Sequence, residues 1–162
     1  MASGSDAAKN AANLVLLNNN FNAMPHIVDE GRRVINNITM SASMFLIKTI
    51  FSALISITTI FFGQAYPFEP IQLSLISACG VGIPTFFLTY EANFAQIKGN
   101  FLKNVIEKSF PSGFIIALGA TLITNIGLSL GYEPNMLSTI CILFTGWNYT
   151  VALLKVYKPL TL

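Results

Sequence analysis

Hydrophobic positions along the chain fall into four long blocks separated by short polar stretches. No Lys, Arg, Asp or Glu occurs in 49–68, 70–90, 109–132 or 134–154. Runs of about 20 residues are what a helix needs to cross a hydrocarbon core of about 30 Å. The pattern predicts spanning helices at about 44–62, 71–90, 110–130 and 136–154. Ahead of them the chain reads differently. Ser5 and Asp6 lead a short helix, 14–17 reads as a short strand, and Asn18, Asn19 and Asn20 signal a turn. A second helix starts near Ala23, with Pro25 in its first turn, where a missing N–H costs little. So short a piece buries no core of its own and reads as the edge of a larger α/β domain. From Asp29 to Phe62 there is no proline, and Gly31 is the one glycine. About 34 helical residues make roughly 50 Å, a span plus a rigid stalk. Two helices with a break between Thr39 and Ser43 are the other reading of the same pattern.

Composition agrees with the blocks. Hydrophobic residues make up 53% and charged residues 10%, against roughly 25% charged in a soluble domain; mean hydropathy is +0.62. A soluble globular enzyme is excluded. The distribution of charge orients the spans. Arg32, Arg33, Lys98, Lys103, Lys108, Lys155 and Lys158 lie on one side of the four crossings, while loops 63–70 and 131–135 carry Glu69 and Glu133 and no cation. The positive-inside rule then places the N-terminal region, loop 91–109 and the C-terminus in the cytoplasm of a multi-pass cell-membrane protein. In that loop Phe94, Ile97, Phe101, Leu102, Val105 and Ile106 form an amphipathic stretch suited to the inner leaflet. A net charge of +2 and no basic cluster beyond Arg32 and Arg33 argue against a nucleic-acid partner. Cys79 and Cys141 sit in apolar runs and read as small buried side chains. No secretory signal opens the chain.

Candidate chemistry concentrates in the first two spans. Gly80, Gly82 and Pro84 interrupt the second at mid-length. Such an interruption either frees backbone carbonyls for an ion or kinks a tightly packed helix. Lys48, an ammonium just inside the first span, either snorkels to the cytosolic interface or serves at a helix junction or ion pathway. Thr49, Ser52, Ser56, Thr58 and Thr59 in the first span and Gln72, Ser74 and Ser77 in the second offer hydroxyl and amide oxygens. Asn125 in the third span is interhelical glue or a ligand. Trp147, Asn148 and Tyr149 lie inside the fourth. His26 has no second metal ligand nearby. No nucleotide-binding glycine loop, catalytic triad or paired metal motif is present.

The residues of 2–38, MASGSDAAKNAANLVLLNNNF followed by DEGRRVINNI, resemble the end of the phosphorylation domain of P-type ATPases. In that family the segment follows the GDGxND hinge and leads through a stalk into the fifth transmembrane helix, here 31–62. PIQLSLISACGVGIP (70–84) resembles the sixth helix of cation pumps, and the last two spans take the places of the seventh and eighth. The group it is most similar to is that of bacterial calcium and magnesium pumps. The resemblance implies four transmembrane helices preceded by a small α/β fragment of a HAD-like phosphorylation domain. It divides the chain into a cytosolic end of that domain with the stalk, 1–40, and a transmembrane region, 41–162. In the stalk, Arg32, Arg33, Asn36 and Asn37 would transmit movement to the membrane.

Two departures from the family pattern matter. The DKTGT motif, the nucleotide domain, the TGE loop and GDGxND are absent from this sequence. The chain therefore binds no cofactor by itself, while ATP and Mg2+ are implied for the full-length member, whose N-terminal part is then a partner. With Met1 inside the family's pattern, the chain reads as a C-terminal fragment or truncated product. In addition, the family's fifth-helix asparagine and glutamate fall on Ile50 and Ala53. Its sixth-helix asparagine, threonine and aspartate fall on Ser77, Gly80 and Val81. The transported cation, Ca2+ or Mg2+ by resemblance, would find only Ser77, freed carbonyls near Gly80, hydroxyls of the first span, or ligands from the family's fourth helix, which is not in this sequence. A stand-alone accessory four-helix membrane protein is the rival reading; a passive channel lacks any ring of acidic residues.

Overall fold

A computed structural model describes residues 3–16, 20–96 and 99–157, and every regular element among them is helical. Helix α1, Asp6–Ala11, begins where Ser5 Oγ accepts from the Ala8 N–H at 3.3 Å, and it buries nothing. The strand expected at 14–17 is not formed over its described residues 14–16. An extended segment is stabilised by a neighbouring strand, and none is described here. Leu17, Asn18 and Asn19 lie outside the described residues. Asn20 Oδ1 accepts from Asn22 N–H at 3.0 Å and opens a 3-10 turn, Phe21–Ala23.

That turn leads into α2, Met24–Phe62, a single helix of 39 residues with Pro25 in its first turn. There is no break between Thr39 and Ser43. Both hydroxyls donate at 2.7 Å to the carbonyl one turn back, of Ile35 and Thr39 respectively, and so are satisfied within the helix rather than against it. Its buried residues, Asn37, Met40, Met44, Ile47, Phe51 and Ile55, recur every three or four positions and form one face. Gly63 ends the helix at φ 63°, a left-handed position suited to glycine.

The second span is composite. Helix α3, Pro70–Leu75, starts on a capping box between Glu69 and Gln72. It runs through a π-helical segment, Ile76–Gly82, into α4, Ile83–Leu88. The third span is part of α5, Phe101–Ser129, and the fourth is α6, Pro134–Tyr157. The amphipathic stretch expected along the inner leaflet is a correction. Its described residues from Phe101 to Ile106 are the first turns of α5 and continue unbroken through Pro111 into the span. One proline forfeits one backbone bond, and the other bonds on either side hold the helix. Ile97 and Lys98 lie outside the described residues.

Cross-helix contacts fix the bundle. Ile50 faces Gly113, and Thr58 faces Thr121, so α2 and α5 run parallel. Lys48 meets Ser77 and Asn37 meets Thr89, so the composite span runs antiparallel to α2. Cys141 touches Thr124, making α6 antiparallel to α5. The interior mixes Met44, Ile47, Phe51 and Ile116 with small or hydroxylated Ser43, Ser109, Ala120, Thr124 and Thr145. Outside, Ile60, Phe61 and Trp147 are 81%, 86% and 72% exposed. Small residues within and large apolar ones without is the pattern of helices packed in lipid.

Candidate functional site

Along the stalk, charge is balanced locally. Arg32 pairs with Asp29 at 3.2 Å and Arg33 with Glu30, each three residues back on α2. Exposed pairs of this spacing contribute little to stability. Asn36 and Asn37 do more. Asn36 Nδ2 donates to the carbonyls of Asn93 and Ala95, both at 3.0 Å. Asn37 Nδ2 donates to those of Thr89 and Glu91, also at 3.0 Å. An amide NH2 carries two hydrogens, and each asparagine uses both to hold the chain leaving α4. Buried Asn37 keeps its Oδ1 without a partner. The two side chains form a latch between the stalk and 89–95.

One and a half turns deeper than Ser43, Lys48 does not turn back to the interface. Its ammonium donates to Ser77 Oγ across the α2 crossing, while Ser77 Oγ donates to Leu73 O at 2.6 Å. A hydroxyl gives one hydrogen and accepts with its lone pairs, so both bonds are satisfied together. Lys48 thus sits at a junction between α2 and the composite span, with a hydrogen-bond partner within the bundle.

Ser77 lies inside the π-helical segment with Gly80 and Gly82. The Ile83 N–H bonds to Ala78 O, five residues back. Pro84, next in that register, has no N–H for Cys79 O. The Gly-x-Gly-x-Pro run neither unwinds nor simply kinks; it widens the helix by one residue per turn. Thr85 Oγ1 reaches back to Val81 O at 2.7 Å and Gly82 O at 3.0 Å and covers part of the disturbed ladder. A Cβ on Gly80 would stand 3.2 Å from Tyr149 Cγ, so glycine lets α6 approach. Cys141 is buried as expected, whereas Cys79 is exposed. Cys79 lines a groove of about 470 Å³ with Gly80, Pro84, Gly146 and Thr150.

The remaining candidates disperse. Ser52 Oγ is 3.2 Å from Tyr66 Oη. Thr49 is exposed, and its hydroxyl points to Phe45 O at 3.4 Å. Asn125 lies at the other end of the bundle, accepting from Gln64 Nε2 at 2.9 Å and donating to Thr121 O at 2.8 Å. It ties α5 to the loop that follows α2, and no contact joins it to Lys48. Tyr149, marked in the sequence only for lying inside the fourth span, is fully buried against Phe51 with its hydroxyl unpartnered. A tyrosine amid apolar residues gives no signal of which helix it meets. Among the described residues no group of three or more His, Cys, Asp or Glu is placed to hold a metal. The α2 junction presents an ammonium, a hydroxyl and backbone oxygens, and no carboxylate.

Four apolar helices long enough to cross a bilayer, with a charged group held inside the bundle, define a polytopic helical membrane protein. Its homologues over the whole chain are P-type cation-transporting ATPases, and the chain belongs to that family, matching the C-terminal transmembrane part of such pumps. The probable cation-transporting ATPase exp7 of Streptococcus pneumoniae is 36% identical over 170 residues, 100% of this chain and 22% of that protein. The calcium-transporting ATPase CtpE of Mycolicibacterium smegmatis is 36% identical over 126 residues, 72% of this chain and 16% of that one. The potassium-transporting ATPase alpha chain 2 of Homo sapiens is 36% identical over 88 residues, 54% of this chain and 8% of that one. The chain thus spans about a fifth or less of the relatives it matches. No family model and no solved structure matches it.

Proposed function

We propose that this chain is the membrane-embedded C-terminal part of a P-type ATPase that couples ATP hydrolysis to cation transport and is not catalytic by itself. Residues 1–40 then close a HAD-like phosphorylation domain, where 14–17 pairs with that domain's sheet, and 41–162 form the membrane region. ATP and Mg2+ bind to the preceding part of the pump. The N-terminal region, loop 91–109 and the C-terminus face the cytoplasm. The ion path follows the α2 crossing: Lys48, Ser77, Gly80, Gly82 and Pro84, with Ser52 beside it. The cargo is Ca2+ or Mg2+; CtpE is named as a calcium transporter.

One observation carries this reading. Helix α2 runs without interruption from Met24 to Phe62, and along it sit both the latch at Asn36 and Asn37 and the contact of Lys48 with Ser77. A rigid rod that grips the composite span at two levels transmits movement of the stalk to the path. In the intact pump, assayed in inside-out vesicles, Ile38→Pro breaks that rod. Ion uptake per ATP hydrolysed falls by an order of magnitude while hydrolysis persists. An unchanged ratio overturns the reading.

A further inference from the structure

The groove beside Cys79 continues past Pro84 and Leu153. These two residues also line a second hollow of about 420 Å³, walled by Phe87 and Glu91 on one side and Leu154 and Tyr157 on the other. Together they form one furrow between the composite span and α6, which run parallel because each is antiparallel to the α2–α5 pair. Helix α6 packs on the π-helical segment, where Gly80 admits Tyr149, and less closely on α4. The deeper walls carry large exposed apolar side chains, Leu75, Leu143 and Trp147 among them. Thr150 Oγ1 there donates to Gly146 O at 3.1 Å and is satisfied within its own helix. A Cβ on Gly146 would meet nothing within 4 Å, so the furrow stands open at that point.

Its length matches one leaflet. From Ile142 to Tyr157 α6 rises about 22 Å, and half of a bilayer with its headgroups is about 20–22 Å. The furrow stops at Ile142, two turns short of the start of α6 at Pro134. A transmembrane helix seats along the whole crossing, whereas a lipid needs only its own leaflet. At the stalk end Glu91 brings a carboxylate and Tyr157 a phenol O–H to the walls. None of the ion pairs among the described residues uses Glu91. Lys155, on the facing helix, is not part of the wall. We propose that the furrow seats one glycerophospholipid with a primary ammonium headgroup, of the phosphatidylethanolamine class. An acyl chain lies along Leu143 and Trp147, the ammonium donates to the Glu91 carboxylate, and Tyr157 Oη donates to the phosphate. A choline headgroup has no N–H to give, and an anionic one sets its charge against Glu91. The inference rests on these helices crossing a bilayer and not on the ion path.

Native mass spectrometry tests it on the full chain taken from vesicles of equal phosphatidylethanolamine, phosphatidylcholine and phosphatidylglycerol. One phosphatidylethanolamine stays bound, at about ten times the occupancy of either other lipid, as a hydrogen bond to a charged group gives. Glu91→Gln removes that preference and leaves the backbone carbonyl to Asn37. Glu133→Gln, in a loop at the opposite end of the bundle, keeps the preference. Gly146→Phe fills the furrow and releases the lipid. Equal retention of the three lipids by the unmodified chain overturns the inference. So does a preference that survives Glu91→Gln, or a lipid that survives Gly146→Phe. An intact pump that retains no phosphatidylethanolamine gives the furrow to another of its helices and overturns it as well.

Discussion

Helix α2 meets α5 and the composite span in opposite ways. Against α5 the contact is close and mostly steric. A Cβ on Gly113 would stand 2.7 Å from Ile50 Cγ2 and 3.2 Å from Ile47 O, so the helices touch where nothing larger than hydrogen fits. Against the composite span the contact is made by polar side chains, Lys48 on Ser77 and the two asparagines on 89–95. Steric contacts have one arrangement, because packed interiors resist small displacement. Hydrogen bonds between side chain and carbonyl exchange partners at modest cost. One helix therefore has a fixed side and an adjustable side.

The comparison fails if the fixed side yields more easily than the adjustable one. Gly113→Val is expected to have the largest effect, about 3 kcal/mol of destabilisation by overpacking, read by thermal unfolding in detergent. Ile50 and a backbone carbonyl block the new side chain, so no rotamer change relieves it. Next is Asn37→Ala. It strands the carbonyls of Thr89 and Glu91 and costs about 2 kcal/mol, seen as faster hydrogen exchange in 86–95. A third test is a difference in the size of the cost on the two sides of one contact. Ser77→Ala leaves the Lys48 ammonium without its partner and costs about 1.5 kcal/mol. Lys48→Met leaves Ser77 still bonded to Leu73 O and is expected to be nearly neutral. If the two variants melt alike, the Lys48 contact does not organise the crossing. The smallest effect is expected from Gly80→Ala, under about 1 kcal/mol. Its Cβ meets the ring of Tyr149 at 3.2 Å, a contact relieved by a shift of a few tenths of an ångström.

The spans were legible because charge is excluded from them one block at a time, a property of neighbouring residues. The continuity of α2 was also legible, since 29–62 offers no proline and a single glycine, although a break near Thr39 fitted the same residues. What escaped depends on residues far apart. The latch joins positions 52 to 59 residues apart in sequence, and nothing in the run of Asn36 and Asn37 names 89–95 as its partner. Periodicity found the apolar face of 101–106 but not its continuity with the span, because the span was bounded by the last charge before it, Lys108. The strand expected at 14–17 followed from a short apolar run, Leu14 to Leu17, without a neighbour to pair with. Candidate ligands were named by chemistry alone. Lys48 and Ser77 came together; Asn125 was carried to the opposite end by the direction of α5.

The π-helical segment sets a phase. Each residue turns a helix by about 100°, and Ile76–Gly82 bonds five residues apart where an α-helix bonds four. It thereby absorbs one residue that the α register has no place for. Ser77, near its start, faces Lys48, and Thr89, beyond its end, faces Asn37. Delete a single residue between the two and the segment relaxes to ordinary α-helix, leaving one of these contacts in register and swinging the other away. The length of this span, counted to the residue, is thus what lets α2 grip it from the stalk and from within the first span at once.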